Sequence, residues 1–240
     1  MPDAFVPSDA GPPDAGPPQI CAPVDPTCQD EQISMLDLFS TTSTRTVEEE
    51  TSTITGAHQS HIDSNGGGLS PTESYVYARF TDTGLVAVPV SDESAFMSQD
   101  WDISFRRFII RLNSGVAGPS CVQAARTAPG TTFESVTAVP DGLTYHAEAY
   151  MTPSPDCSIV ADGSGLGSPD TVLSSFWTYH SCVSMSHNVY ILQLANSRHV
   201  KLEVIGYYNL ADQTVCDTTN AMPSDESSSA NIRIQWAYLD

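Results

Sequence analysis

The middle of the chain concentrates imidazole and thioether side chains, which are ligands for soft and borderline transition metals. His146 and Met151 precede Trp177, and His180 and Met185 follow it. Each of these residues also has an ordinary structural role open to it. Methionine commonly fills hydrophobic cores, and His180 is a polar neighbour of Cys182. The residue types alone leave metal binding and packing as alternatives.

A second group of possible ligands is His58, His61 and Asp63. Two imidazoles at such a spacing normally need a helix to bring them to one face, as in helical zinc sites. A glycine-rich stretch follows Asp63 and indicates a loop. We therefore expect unliganded surface histidines here, and the acids nearby lack the closing Glu of a calcium loop.

Three of the nine basic residues, Arg106, Arg107 and Arg111, stand together beside Asp100 and Asp102. If residues 101 to 112 form one strand, Arg107 and Arg111 share a face and Arg106 points to the opposite one. A buried arginine paired with a carboxylate often stabilises a β fold. The alternative is that these cations meet the carboxylates of a ligand.

The motifs of hydrolytic enzymes are absent from the chain. It contains no GxSxG, no HExxH and no CGxCW-type nucleophile context. We expect a protein that is not an enzyme, with a binding or structural role.

The amino-acid composition of the chain excludes some classes of binding partner. The formal net charge is −20, with 29 acidic and 9 basic residues, so the long-range field repels nucleic acid and anionic lipid. Hydrophobic residues make up 40% of the chain, which is enough to bury a core. No run approaches the roughly 20 apolar residues of a membrane helix. We expect contact with a membrane only through a lipid anchor that this chain does not carry.

Six cysteines occur, with no CxxC pair, and this even number favours disulfides formed in an oxidising compartment. The sequence as given starts without a basic and apolar signal segment. We therefore expect an exported protein, at the cell surface, in the outer membrane or outside the cell, whose signal segment was trimmed or not included.

Two regions differ in composition. Residues 1 to 32 hold the direct repeat DAGPP, from Asp9 to Pro18, and too few apolar residues to offset the entropy of ordering. We expect a disordered Pro/Asp-rich spacer whose deletion over residues 1 to 30 leaves stability unchanged. Residues 33 to 240 are the folded domain.

Within the domain, β-branched and aromatic residues alternate with polar ones in segments bounded by turn residues. This pattern predicts an all-β fold of mostly antiparallel sheets, with short helices only at residues 31 to 39 and 92 to 98. The predicted strands are TESYVYARF, GLVAVPV, WDISFRRFIIRL, VYILQLA, HVKLEVIGYY and ANIRIQWAYL.

The order of these segments resembles the HmuY-type haem-binding lipoprotein family over residues 72 to 240. The family has a strand, a turn and a strand before a W-D-hydrophobic-x-x-x-R-aromatic segment that ends in R-x-N-x-G. The matching residues here are Trp101, Asp102, Arg107, Phe108, Arg111, Asn113 and Gly115. A later match comprises Trp177, Tyr179, VYI at 189 to 191, HVKL at 199 to 202, Gly206, Tyr207, Tyr208 and a final strand at 231 to 238.

The resemblance implies an all-β fold whose long, finger-like hairpins hold haem between two axial His or Met ligands, one from each side of Trp177. Members take haem from other carriers and pass it to an outer-membrane receptor. Carried onto this chain, the ligands are His180 or Met185 on one side and His146 or Met151 on the other. The arginines at 106, 107 and 111 would then have haem propionates as the alternative to internal carboxylates.

Two departures from the family pattern leave a second function open. The cysteine content is higher, and GVAGPSCVQAAR replaces the glycine-rich loop after R-x-N. A member that has kept the scaffold but lost haem binding would serve as a surface interaction or structural protein. Of the possible pairings, we expect Cys121 with Cys157, Cys182 with Cys216 and Cys21 with Cys28.

Overall fold

Twelve strands and three short helices make up the computed structural model, which describes residues 21–66, 70–221 and 228–239. The predicted all-β, mostly antiparallel fold class is confirmed. The strands form a six-stranded sheet, a four-stranded sheet and a separate two-stranded hairpin. The DAGPP repeat lies outside the described residues.

The strands, in chain order, are β1 Val47–Glu50, β2 His58–Asp63, β3 Val76–Thr81, β4 Gly84–Val88, β5 Ile103–Arg106, β6 Ile109–Leu112, β7 Gln123–Arg126, β8 Trp177–Tyr179, β9 Val183–Met185, β10 Val189–Gln193, β11 His199–Gly206 and β12 Asn231–Leu239. The six-stranded sheet has the order β1-β2-β12-β11-β10-β7, the four-stranded sheet has the order β4-β3-β5-β6, and β8 and β9 form the separate hairpin.

The helices are α1 Gln29–Met35, α2 Asp92–Ala95 and α3 Leu210–Thr219. Sequence analysis anticipated α1 and α2 but not α3. Asn209 caps α3 by accepting a hydrogen bond from the backbone N–H of Asp212.

Three clusters of buried side chains follow from the two-residue alternation of the strands. The central core lies between the two large sheets and includes Phe80, Phe105 and Trp236. A second cluster, on the far face of the four-stranded sheet, includes Tyr77 and Trp101. The third lies on the outer face of the six-stranded sheet.

A long loop, residues 128–146, covers that third cluster. Phe133 and Val136 of the loop pack on Ile191 and Leu239 of the sheet. Lys201, the only lysine of the chain, donates hydrogen bonds from Nζ to the carbonyl oxygens of Phe133 at 2.9 Å and Val136 at 2.8 Å. The loop is therefore anchored to the sheet at its centre.

The three neighbouring arginines do not lie on one strand, which corrects the prediction for residues 101 to 112. The chain turns at Arg107, whose φ of 53° is left-handed, and β5 pairs with β6 so that Arg106 lies opposite Ile109 and Ser104 opposite Arg111. Residues opposite each other share a face, as do residues two apart. Arg106 and Arg111 therefore face the same side, where sequence analysis had paired Arg107 with Arg111.

The disulfides connect the N-terminal segment to the domain. The pairs are Cys21–Cys121, Cys28–Cys157 and Cys182–Cys216. The pairing of Cys182 with Cys216 is confirmed, whereas those of Cys21 with Cys28 and of Cys121 with Cys157 are wrong. Both wrong pairings rested on the expectation that residues 21 to 32 make no contact with the domain.

Gln32 shows that this segment packs closely. Its side chain is fully buried, donates to the carbonyl oxygen of Val116 at 2.7 Å and accepts from the hydroxyl of Tyr150 at 2.9 Å. The described part of the predicted spacer, residues 21–32, is thus held by two disulfides and by a buried polar side chain.

The histidines at 58 and 61 lie on a strand, β2, and not on the loop that was expected. His58 stacks on Trp236 with ring centroids 4.3 Å apart, and the Nε2 atom of His61 lies 3.0 Å from Oδ1 of Asn231. Three residues apart on a strand, the two imidazoles point to opposite faces. In the part of the chain that the structure describes, no helix has the length and hydrophobicity to cross a bilayer.

Candidate functional site

The four predicted ligands fall into two classes of environment. Met151 lies in the cluster with Tyr77 and Trp101, and it is 5% exposed. Met185 lies in the central core, opposite Trp177 in the β8–β9 hairpin, and it is 7% exposed. His146 and His180 are both exposed. The two methionines are thus packed in different clusters, and only the two imidazoles are accessible.

His146 lines a cavity of about 680 Å³, which we call the Arg126 cavity. None of the other three predicted ligands lines it. The polar part of its wall consists of Arg126, Thr127, Thr131, Asp141, Thr144, His146 and Ser175, and the apolar part consists mainly of Ala124, Ala128, Pro140, Leu143 and Val172. Its size is in the range of small-molecule and cofactor sites.

The Arg126 cavity forms where the short strand β7 meets the 128–146 loop. On one side, β7 pairs with β10, so that Arg126 lies opposite Tyr190. On the other side, Ala124 and His146 exchange two backbone hydrogen bonds, at 2.9 and 3.1 Å. The two ends of the loop therefore return to the same strand, and this brings His146 and Arg126 to one cavity.

Ser175 connects the cavity to the hairpin of His180. Its Oγ lies 3.4 Å from Nη1 of Arg126 and 2.8 Å from the buried hydroxyl of Tyr190. Strand β8 starts two residues later, at Trp177. Five residues of extended chain span at most about 18 Å, so the Cα atom of His180 lies within about that distance of the Cα atom of Ser175.

The β8–β9 hairpin itself is short and covalently fixed. Each strand has three residues, and Trp177, Thr178 and Tyr179 pair with Met185, Ser184 and Val183. Cys182, at the turn after His180, is bonded to Cys216 of α3. The disulfide therefore anchors the end of the chain segment that carries His180.

A third accessible histidine, His187, has its own carboxylate partner. The Nδ1 atom of His187 lies 2.8 Å from Oε1 of Glu203, and the Glu203 side chain is 8% exposed, against 56% for that of His187. Oε2 of Glu203 accepts a hydrogen bond from Nε2 of Gln235 at 2.6 Å. The hydrogen bond with Glu203 raises the pKa of His187, although partial burial opposes the shift.

These residues line a second cavity, of about 390 Å³, which shares Ala128 and Thr131 with the first. The ion pair was missed at the sequence level, because Glu203 is 16 residues beyond His187. The pairing of β10 with β11, with Val189 opposite Glu203, brings the two together. The β10–β11 hairpin was predicted from the sequence. Its register, had it been worked out, would have placed Glu203 close to His187.

Arg106 and Arg111 make their contacts inside the protein. Both lie 3.9 Å from carboxylate oxygens of Asp92, and all three side chains are almost fully buried. Arg106 also donates to the carbonyl oxygens of Leu36 and Asp37. These two guanidinium groups are therefore unavailable to a ligand, and the internal role weighed for them is the one observed.

Trp101, Asn113 and Gly115 of the W-D and R-x-N-x-G segment are structural as well. Indole Nε1 of Trp101 donates to the carbonyl oxygen of Ala95 at 3.2 Å. Asn113 donates from Nδ2 to the carbonyl oxygens of Ser98 and Trp101. A Cβ at Gly115 would lie 2.0 Å from the carbonyl oxygen of Glu148, at a left-handed φ of 56°. This segment thus fixes the scaffold and lies outside the two cavities.

Glu148 joins the segments that lead to the two exposed histidines. Its Oε1 accepts from the backbone N–H of Leu112 at 2.9 Å, and its Oε2 accepts from that of Val172 at 3.1 Å. Burial raises the pKa of Glu148 to about 8, and the two backbone donors oppose that shift. The carboxyl group lies two residues from His146 in sequence and contacts the chain leading into β8.

Several solved structures resemble the fold. A protein described as a lipoprotein, from Bacteroides fragilis, has a TM-score of 0.46 and 12% identity, covering 78% of this chain and 91% of that chain. A protein described as HmuY-like and haem-binding, from Bacteroides vulgatus, has a TM-score of 0.44 and 17% identity, covering 78% and 93%. The apo HmuY analogue of Tannerella forsythia has a TM-score of 0.41 and 14% identity, covering 85% and 99%.

A comparison with curated proteins found no match. The sequence profile of the family described as HmuY protein, in contrast, matches residues 36–220. The match spans most of the chain, from just after α1 to the end of α3, and includes both cavities except for Gln235. The chain belongs to the HmuY family.

Proposed function

We propose that this chain is an exported haem-binding protein, with His146 and His180 as the axial ligands of the iron. The observation that carries the proposal is the Arg126 cavity, which places an accessible imidazole and a guanidinium group beside an apolar wall in a member of the HmuY family. Haem offers the matching groups, namely an iron for imidazole, carboxylates for a cation and an apolar ring.

The donor set fits haem iron in its chemistry. When bound, haem supplies an iron whose axial positions take imidazole or thioether ligands. His146 and His180 are exposed, and among the described residues neither imidazole has a hydrogen bond or an ion pair. Met151 and Met185 would first have to leave packed cores. Imidazole is therefore favoured over thioether on both sides of Trp177.

Export and transfer are parts of the same proposal. Three disulfides, two of them formed by the N-terminal segment, suit an oxidising compartment. A haem carrier in that compartment needs an acceptor, and the family resemblance names an outer-membrane receptor. The net charge of −20 directs the protein away from nucleic acid and anionic lipid surfaces.

A second candidate function is a scaffold without haem, acting in surface interactions or in structure. The observation that favours it is the separation of the four predicted ligands, since no two of them line the Arg126 cavity. The disulfide at Cys182 also restricts the hairpin that carries His180.

Haemin titration followed in the Soret region separates the two functions. The haem proposal predicts saturable binding of one haemin per chain and a weaker complex with an altered spectrum in His146→Ala and in His180→Ala. The controls are Met151→Leu and Met185→Leu, which conserve volume, and His61→Gln on β2. Absence of binding by the parent protein favours the scaffold, and an unchanged spectrum in a histidine variant removes that residue from the site.

A further inference from the structure

We infer that Arg126 recognises a carboxylate of the bound ligand, so that the Arg126 cavity selects organic anions with an apolar body. The inference rests on the proposed function for the identity of that ligand as haem. The recognition itself depends only on the cavity and on the charges around it.

The distribution of the nine basic residues singles out Arg126. Six arginines form ion pairs with carboxylates within 4.0 Å, namely Arg45, Arg79, Arg106, Arg111, Arg198 and Arg233. Lys201 is bound to two carbonyl oxygens of the 128–146 loop. Arg107 is half-buried, with its guanidinium 5.9 Å from the Phe108 ring.

Arg126 is the exposed base that remains, and it lines a cavity. Its one hydrogen bond among the described residues is the 3.4 Å contact with Oγ of Ser175. Asp141 lines the same cavity, yet it forms no ion pair with Arg126 in the described part of the chain. In a chain with 29 acidic residues, an exposed guanidinium without a carboxylate partner is free to bind an anion.

The surroundings of Arg126 orient the guanidinium and supply further donors. Ser175 is held by the Tyr190 hydroxyl at 2.8 Å, so its contact with Nη1 starts from a fixed position. Thr131 and Thr144 also line the cavity, and their hydroxyl groups can donate hydrogen bonds to an anion. A guanidinium fork matches a carboxylate with two parallel hydrogen bonds.

These features define the class of ligand. A small inorganic anion would leave the apolar wall exposed to water, and a neutral apolar molecule would leave the guanidinium unpaired. A carboxylate on an apolar body satisfies both, and His146 adds a site for a metal carried by that body. Haem combines all three groups, whereas its dimethyl ester lacks the free carboxylates.

Comparing haemin with its dimethyl ester isolates the role of Arg126. We expect Arg126→Gln to weaken haemin binding about tenfold, the scale of one hydrogen-bonded charge pair. The same substitution should leave the affinity for the ester unchanged. Arg126→Lys keeps the positive charge but lacks the guanidinium fork, so its affinity for haemin should lie between those of the parent protein and of Arg126→Gln. The matched control is Arg79→Gln, at a partly exposed arginine of β3 that is paired with Asp100.

Iron-free protoporphyrin IX, followed by its fluorescence, separates this inference from the proposed function. If the parent protein binds protoporphyrin IX in an Arg126-dependent way but binds haemin no better, iron ligation fails and the carboxylate site stands. Three results would overturn the inference. In Arg126→Gln, the affinities for haemin and for its ester could fall equally, or neither affinity could fall. The third result is that the parent protein binds no porphyrin.

Discussion

The guanidinium groups of Arg106 and Arg111 both lie against the ring of Tyr75, at 4.2 and 3.7 Å from its centroid. Asp92 completes the arrangement, because its carboxylate lies 3.9 Å from each arginine. It also accepts hydrogen bonds from the backbone N–H of Tyr75 and from the Tyr77 hydroxyl. One buried carboxylate thus serves two buried cations under the four-stranded sheet.

Replacing Asp92 with Ala should destabilise the domain by about 3 to 5 kcal/mol, because two buried cations lose the one carboxylate that lies within 4.0 Å of them among the described residues. Urea unfolding measures the change in the free energy of unfolding. The control is Asp100→Ala, which breaks an exposed pair with Arg79 and should cost less than about 1 kcal/mol. If the two substitutions lower the free energy of unfolding equally, the buried network stabilises the domain no more than the exposed ion pair does.

Truncation tests the attachment of the N-terminal segment. The composition of residues 1 to 30 predicts that their deletion leaves stability nearly unchanged, whereas the structure predicts that deletion of residues 1 to 35 costs several kcal/mol. That deletion removes both Cys21–Cys121 and Cys28–Cys157, and each disulfide typically contributes about 2 to 4 kcal/mol. The melting temperatures of the chains that lack residues 1 to 35 and residues 1 to 20 test this prediction. Deletion of residues 1 to 20 alone should leave stability unchanged, and a large loss there would contradict the account.

Stability should fall as the pH rises from 5 to 8. Burial raises the folded-state pKa of Glu148 to about 8 and that of Asp102 to about 6, against ordinary values of 4.5 and 3.8. A carboxyl whose pKa is raised on folding stabilises below its unfolded pKa, and this stability is lost as the pH climbs through the folded pKa. The measurement is the free energy of unfolding at pH 5, 6.5 and 8.

Glu148→Gln provides the specific control for that pH dependence. The amide does not titrate, so the difference in stability between pH 5 and pH 8 should shrink relative to the parent. Glu134→Gln, at an exposed position, should not change it. Parallel curves for the parent and Glu148→Gln would rule out Glu148 as the source.

His187 should titrate above an ordinary histidine. Its hydrogen bond with Glu203 raises its pKa, and Glu203→Gln removes the negative charge, so the pKa of His187 should fall in that variant. NMR titration of the His187 ring measures both values. The control substitution is Asp100→Asn, at an exposed carboxyl paired with Arg79, and it should leave the pKa of His187 unchanged. If the pKa of His187 is the same in the parent protein and in Glu203→Gln, the 2.8 Å contact between His187 and Glu203 is absent in solution.

The elements that sequence analysis identified are those whose strands alternate strongly. The hairpin of β10 and β11 is an example, with its turn at Ala195 to Ser197. It missed β7, because QAAR has no β-branched or aromatic residue and forms a strand only between β10 and His146. It read β5 and β6 as one strand, since nothing in the sequence signals a left-handed Arg107.

The candidate site was less accessible to prediction than the fold. His146 and His180 were named as residues, but their exposure and the burial of Met151 and Met185 depend on tertiary packing. Arg126 gave no signal in the sequence, because its importance depends on its having no carboxylate partner among the described residues. Disulfide pairing also depends on contacts between distant segments, such as Cys28 with Cys157.

Electron paramagnetic resonance of the ferric complex tests whether the imidazoles of His146 and His180 bind haem iron. The complex is formed from haemin and the parent protein at equal concentrations. We expect a six-coordinate low-spin signal typical of two imidazoles in the parent and a high-spin signal in both His146→Ala and His180→Ala. A high-spin signal in the parent, or a low-spin signal that persists in the double variant, would show that the two imidazoles do not ligate the iron.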